Sequence, residues 1–379
     1  MNSFDWLVVG AGFAGATFAN QLASVANEKV LVIDRRTHIG GNAFDEFNEF
    51  GLLVHRYGPH IFHTKSTKVW KFLSQFTEWR PYEHKVSAMV EGHSIPIPFN
   101  FYGIEKLFSS RQAEGLIETL ISLYGFGARI PILAMLESLN TEVRSLAERI
   151  YNWVFLGYNE KQWGLRPEEL DRTVTGRVPV VMSYDSNYFT DRFQAMPVDG
   201  YSKMFANMLS HENITVLLDT QFNDFADEFS SKRVFYTGSL DELLDYCYDP
   251  LPYRSLTFEY KNYRGPLALP TGTVNFPSLE DGLATRVTEF RHLTGQSAGM
   301  TTLAYEYPCS HIAGKNEPYY PIPRIENRGL HEKYLEKVRS IYPYLRIGGR
   351  LGSYRYYNMD QAVSSALIEF QNIGKSFRF

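Results

Sequence analysis

The apolar run Trp6-Leu7-Val8-Val9, the glycines Gly10, Gly12 and Gly15, and a second apolar run, Val30-Leu31-Val32-Ile33, closed by Asp34, constrain this chain more than any other feature. Together they predict strand, tight turn, helix, strand and acid. Gly10 permits the turn, Gly12 lets the backbone approach a pyrophosphate, and Gly15 lets the helix pack close to the strand. The helix start, with Ala14 in its first turn, offers unpaired N–H groups to phosphates. Asp34 is placed to accept a ribose hydroxyl. The pattern predicts a dinucleotide site; the plainer alternative is a glycine-rich turn in an ordinary α/β sheet.

A chain of 379 residues can bury a large core and divides on expectation into two or three domains. Its formal charge of -4 gives no general attraction to nucleic acid or anionic membrane. Two cysteines, Cys247 and Cys309, are too few for a disulfide framework, so a cytoplasmic, reducing setting is expected. The first apolar run is already used as a strand, which leaves no signal peptide to explain. No apolar run approaches about 18 residues, so no membrane insertion is expected. Aromatic residues make up 15% of the chain, which suits either an aromatic core or a cleft that stacks planar ligands.

From residue 105 to about 151, leucines, valines and isoleucines recur at helical spacing, with Gly125-Phe126-Gly127 and Pro131 breaking the stretch into several helices. Strand signals return at 214–218, 234–236, 256–260 and 301–306. Gly348-Gly349 follows a short apolar run, and Ala362, Val363, Ala366, Leu367 and Phe370 line one face of a last helix. A nucleotide domain assembled from separated segments fits this order better than one finished by residue 150.

The segment Asp34-Arg35-Arg36-Thr37-His38-Ile39-Gly40-Gly41-Asn42 bears on the cofactor. A basic residue followed by paired glycines just after the ribose acid is typical of flavin proteins, where backbone N–H groups meet the second phosphate. No second complete fingerprint is present. One FAD, without a separate nicotinamide domain, is therefore the expectation. His60 and His63 lack a third partner nearby, so no metal is expected.

Further stretches are Tyr57-Gly58-Pro59-His60-Ile61-Phe62-His63-Thr64, Gly157-Tyr158-Asn159-Glu160-Lys161-Gln162-Trp163-Gly164, Asn187-Tyr188-Phe189-Thr190-Asp191-Arg192, Glu317-Pro318-Tyr319-Tyr320-Pro321, and Gly348-Gly349-Arg350-Leu351 with the following Tyr354 to Asp360. In this order the chain resembles the bacterial UDP-galactopyranose mutases over essentially its whole length. The resemblance implies an α/β fold with a discontinuous Rossmann-like FAD-binding domain, an inserted helical domain and a twisted antiparallel sheet domain, usually as a homodimer. Approximate bounds are 1–78, 197–245 and 328–379 for the FAD domain, and 100–162 for the helical domain with a mobile lid. The sheet domain takes 79–99, 163–196 and 246–327.

The reaction implied interconverts UDP-galactopyranose and UDP-galactofuranose. FAD, active when reduced, supplies N5 as nucleophile at the anomeric carbon while UDP leaves. An external reductant such as NAD(P)H loads it. By resemblance, Arg177 and Arg286 clamp the diphosphate, where a guanidinium fork gives parallel hydrogen bonds. Tyr320, Tyr356 and Tyr188 add hydroxyls to the same phosphates. Tyr158 stacks on uracil, and Trp163 belongs to a polar, glycine-bounded loop that folds over the nucleotide. His84, Asn159, Asn275 and Asn358 complete the substrate set, and Arg254 matches a family active-site arginine. His60 and Ile61 lie by the flavin, with His63 behind. Phe222, Thr237, Gly238, Gly349, Arg350, Tyr357, Met359, Asp360 and Gln361 join the cofactor set, the last helix directing its N-terminus at the ring.

The chain departs from the family at His84, Asn159, Ala284 and Phe193, which touch base and sugar selection rather than the flavin fingerprint. A mutase for a related nucleotide sugar is thus the first alternative. An FAD-dependent amine or porphyrinogen oxidase shares the fingerprint but needs no paired arginines. A nucleotide-binding protein without turnover and a nicotinamide dehydrogenase complete the alternatives.

Overall fold

Five short segments of three or four residues form a parallel sheet, in the order Ile214–Leu217, Val30–Ile33, Trp6–Val9, Arg233–Tyr236, Leu345–Ile347. Numbered along the chain this order is 3-2-1-4-5, the doubly wound arrangement in which ligands sit where the strand order reverses. In the computed structural model, residues 4–171, 176, 178–225 and 233–376 are described. Contacts group the chain into two compact units, one of residues 1–82, 191–253 and 311–379, the other of residues 83–190 and 254–310. Helices and antiparallel strands of the middle region fall in the same second unit.

In the first unit, the helix Phe13–Ser24 packs against the long last helix Met359–Ser376. Phe18 stacks on Phe235 of the sheet with ring centres 4.0 Å apart. A second, three-stranded antiparallel sheet joins Phe62–Thr64, Phe193–Pro197 and Trp79–Pro81. Phe62 stacks on Trp79, Trp79 on Trp70 and Trp70 on Phe193, at 4.9, 4.9 and 4.8 Å. Part of the high aromatic content is therefore packing between rings.

In the second unit, strands run in the order Tyr253–Arg264, Met300–Ser310, Arg286–Glu289, Thr273–Asn275, Val86–Val90, His93–Ile97. Neighbouring strands in this order are antiparallel, as expected, except that Thr273–Asn275 runs parallel to Val86–Val90. Helices Phe101–Leu107, Ser110–Tyr124, Ile132–Leu136 and Thr141–Ile150 cover one apolar cluster that includes Ile97, Phe101, Leu116, Leu120 and Leu146. The helix from Ser110 ends at Gly125, and Pro131 caps the next one. The punctuation read from the sequence thus acts where expected. Among the described residues no helix is long and apolar enough to cross a membrane.

The chain from Thr141 to Trp163 is helical throughout but changes winding twice. Thr141–Ile150 is α, Tyr151–Leu156 is π, and Gly157–Trp163 is α again. A π stretch in mid-helix is rare and leaves carbonyls without their usual donors. The Asn159 side chain supplies one, its Nδ2 donating to the Phe155 carbonyl at 2.8 Å.

Candidate functional site

A cleft lies at the reversal point of the parallel sheet, enclosing about 1400 Å³ including the part open to solvent. Its lining by the glycine turns and the acid that closes the second strand suits an extended dinucleotide. Its floor is the turn after Trp6–Val9. Gly10 has φ +103°, and a side chain there would stand 2.0 Å from Thr237 Oγ1, which itself donates to the Val9 carbonyl. A Cβ on Gly15 would stand 1.8 Å from the Gly10 carbonyl oxygen. Those two glycines are dictated by contact. Gly12 meets only the Gly41 backbone at 3.6 Å, so its lack of a side chain keeps the cleft side open. The helix that follows has no side-chain cap at Gly12, leaving its first amides available to an anion.

Asp34 closes the second strand at the cleft wall. Its two oxygens accept from Ala11 N at 2.8 Å and Arg36 N at 2.9 Å. A carboxylate oxygen takes more than one donor, so these bonds orient Asp34 and leave it able to accept a hydroxyl. Arg35, Gly41, Asn42 and His60 also line the cleft, as do Phe222, Thr237, Gly238, Gly349, Arg350, Tyr357, Asn358 and Met359. Ala14 is there too. Ile61, Asp360 and Gln361 of the expected cofactor set are not in its wall. Asp360 instead accepts from Thr64 Oγ1 at 2.9 Å, and Gln361 Oε1 accepts from Asn358 N at 2.9 Å, fastening the start of the last helix. These two residues therefore hold the helix that carries Met359.

His60 is fixed from three directions. Its N–H donates to His55 Nδ1 at 3.0 Å, its carbonyl accepts from Tyr201 Oη at 3.1 Å, and its Nδ1 lies 2.8 Å from the Gly58 carbonyl. That last contact places a proton on Nδ1. His55 is fully buried, and burial pushes its pKa down to about 3. His63 Nδ1 meets Asp191 Oδ2 at 2.6 Å. Tyr320 and Tyr356 pack edge to face at 5.2 Å, with the Arg350 guanidinium 5.4 Å from the Tyr320 ring.

The cleft wall also holds residues absent from the expected set. Glu317 Oε2 accepts from Arg35 Nη2 at 2.7 Å and Arg36 Nη2 at 2.8 Å, and Glu242 takes Arg35 Nη1 at 2.9 Å. Burial raises the Glu317 pKa, but the paired guanidiniums outweigh it and hold the carboxyl below its ordinary range. Arg36 also stacks on Tyr57, 4.2 Å from the ring centre. Arg36 adjoins the acid and Glu317 opens a quoted motif, so both were visible; nothing local marks Glu242.

The remaining expected residues lie in the second unit. Asn275 and Arg286 face each other across paired strands. Arg286 gives Nε and Nη2 to one oxygen of Glu306, at 3.0 and 2.8 Å. Glu306 is nearly fully buried, so this pair fixes the base of the arginine. His84 is buried, T-shaped to Tyr188 at 5.8 Å, and accepts from Tyr188 N at 2.9 Å. Tyr158, Asn159 and Trp163 share the helix Gly157–Trp163 rather than a loop, and Trp163 is buried. Polar residues bounded by glycines misled the loop expectation, because a continuing helix needs no starting signal of its own. Gly157 lets this helix approach the 277 carbonyl, where a Cβ would stand 2.3 Å away. Lys161 Nζ bonds the carbonyls of Phe276 at 2.8 Å and Ala284 at 3.2 Å.

Arg254 donates Nε to the Gln162 carbonyl at 2.8 Å and Nη2 to the Lys161 carbonyl at 3.0 Å. These are helix-terminal acceptors, so the guanidinium caps the helix that carries Tyr158. Burial lowers its pKa. Arg177 lies outside the described residues.

Sheet order, glycine turns and cleft define the first unit as a Rossmann-like dinucleotide-binding fold, and a model for NAD(P)-binding Rossmann-like domains matches residues 8–76. A family model for UDP-galactopyranose mutase matches residues 153–356. A Klebsiella pneumoniae protein named "Probable UDP-galactopyranose mutase" is 37% identical, covering 97% of this chain and 94% of that protein. An Escherichia coli dTDP-fucopyranose mutase is 33% identical, covering 95% of this chain and 96% of its own. A crystal structure of reduced UDP-galactopyranose mutase shares the fold, with a TM-score of 0.75 at 14% identity, over 100% of this chain and 95% of that one. The chain belongs to the UDP-galactopyranose mutase family.

Proposed function

We propose that this protein is a flavin-dependent isomerase that interconverts UDP-galactopyranose and UDP-galactofuranose. The observation that carries the reading is similarity to a UDP-galactopyranose mutase over 97% of the chain. The cleft residues fit FAD. The close-packed turns at Gly10–Gly15 and Gly41 leave backbone amides beside open space, and Asp34 retains acceptor capacity. Gly12, Gly41 and Asn42 would hold the pyrophosphate and Asp34 a ribose. His60, Arg350 and the start of the last helix would hold the ring. Bound and reduced, the flavin supplies a nucleophilic nitrogen for the anomeric carbon.

The side chains bind and orient. Arg177 and Arg286 take the diphosphate with Tyr188, Tyr320 and Tyr356, stabilising charge on the departing UDP. Tyr158 and Trp163 cover the nucleotide, and His84, Asn159, Asn275 and Asn358 complete its surroundings. His60 orients the ring, and His63, held by Asp191, supports it. An external donor such as NAD(P)H supplies electrons, and the working form is a cytoplasmic homodimer.

The test is incubation of dithionite-reduced protein with UDP-galactopyranose and chromatography for the furanose. Product only after reduction supports the reading; no product, or equal rates with oxidised protein, overturns it. Because an E. coli relative is named a dTDP-fucopyranose mutase, a parallel arm uses dTDP-fucopyranose. Faster turnover there would reassign the sugar and leave the reaction class intact.

A further inference from the structure

We propose that Glu317 is a positioning residue that latches the tyrosine segment 319–320 to the cofactor cleft, so that nucleotide-sugar affinity depends on ion pairs at the cleft rim. This rests on the functional reading above. Glu317 and Pro318 line the cleft, and Tyr319 and Tyr320 follow directly. The segment is fastened at both ends. At one end the Glu317 carboxylate bridges Arg35 and Arg36 at 2.7 and 2.8 Å. At the other, the Tyr319 carbonyl accepts from Arg350 Nη1 at 3.3 Å, while Arg350 also holds the Tyr357 carbonyl at 2.8 Å. One guanidinium thus sets the spacing of the two stretches whose tyrosines, 320 and 356, meet edge to face.

Arg36 is itself fixed by Asn42 Oδ1 at 2.9 Å and by the Tyr57 ring. Its side chain is 15% exposed and that of Glu317 35%, so the Arg36 side of the bridge is the shielded one, while Arg35 is 38% exposed. A partly buried carboxylate shared by two fixed guanidiniums resists displacement, whereas surface pairs contribute little. Loss of the latch affects where Tyr320 stands.

The experiment is calorimetric titration of purified, flavin-loaded protein with UDP, with flavin release followed by fluorescence on dilution. Glu317→Gln keeps the shape and removes the charge. UDP affinity is expected to fall about tenfold and flavin release to accelerate, with KM for UDP-galactopyranose rising more than kcat falls. Arg36→Met should reproduce the loss of affinity, and the double variant should cost no more than the worse single one. Glu317→Asp, which keeps the charge at shorter reach, should recover part of it. Glu28→Gln breaks a remote ion pair with Arg233 and controls for general destabilisation; it should leave UDP affinity unchanged. Unchanged UDP affinity in folded Glu317→Gln, or strict additivity with Arg36→Met, overturns the latch. Failure of the unmodified protein to bind UDP overturns the functional reading instead.

Discussion

His55 lies beneath the turn that carries His60 and keeps its imidazole neutral while accepting that residue's N–H. Its pKa is about 6.5 in an unfolded chain and about 3 in the fold. The native state therefore binds fewer protons across that interval. Its contribution is complete above pH 6.5 and is lost as the pH falls toward 3. The thermal midpoint should drop on acidification from pH 7 to 4, and His55→Gln should flatten that slope while lowering the midpoint at pH 7. An equal slope in both proteins would assign the acid sensitivity elsewhere. Arg286 allows stability and turnover to be separated. Arg286→Ala should slow turnover by about 10²-fold or more, as expected when a donor to developing charge is lost. It also strands the buried Glu306 carboxylate, costing about 3 kcal/mol. Adding Glu306→Gln should restore much of the denaturation midpoint but none of the turnover.

Elements held by backbone contact tolerate little. Gly15→Ala would drive a methyl into the Gly10 carbonyl. A loss of about 3 kcal/mol is expected from such overpacking, together with colourless purified protein; a yellow variant of normal stability would refute the close approach. The helix Gly157–Trp163 is pinned by Arg254 and Lys161, which donate to backbone carbonyls. Arg254→Met should weaken UDP binding and lower the thermal midpoint, with Arg254→Lys intermediate; unchanged binding would limit the cap to structure. The glycine fingerprint and the strands Trp6–Val9 and Val30–Ile33 were legible because each signal is contained in a few adjacent residues. The strands predicted at 256–260 and 301–306 extend to Tyr253–Arg264 and Met300–Ser310. Their extensions carry Lys261, Asn262 and Arg264 on exposed positions and offer no apolar run. The helix through Trp163 was hidden by its π stretch, which breaks the regular spacing of apolar residues. The pairing of Glu317 with Arg36, like that of Glu242 with Arg35, was hidden differently, since the partners are 281 and 207 positions apart.

At the scale of the molecule, the parallel sheet draws on three separated stretches, and its cleft needs all of them. A fragment ending at residue 310 loses the strand Leu345–Ile347, Glu317, Gly349, Arg350 and Met359. It should purify without flavin and fail to reach a cooperative unfolding transition; absorbance at flavin wavelengths in that fragment would show that the last stretch is dispensable. Phe193 shows how such a division blurs local reading. As a departure from the family it pointed to substrate selection, yet its ring lies on Trp70 inside the aromatic stack.

The edge strand Leu345–Ile347 and the helix Met359–Ser376 lie far along the chain from the glycine turn whose cleft they help to wall. Without them one wall of the cleft is missing, although the first strand already has both its partners, Val30–Ile33 and Arg233–Tyr236. Closing that wall is thus a long-range step, governed by when distant segments fold together rather than by when the glycine turn itself forms.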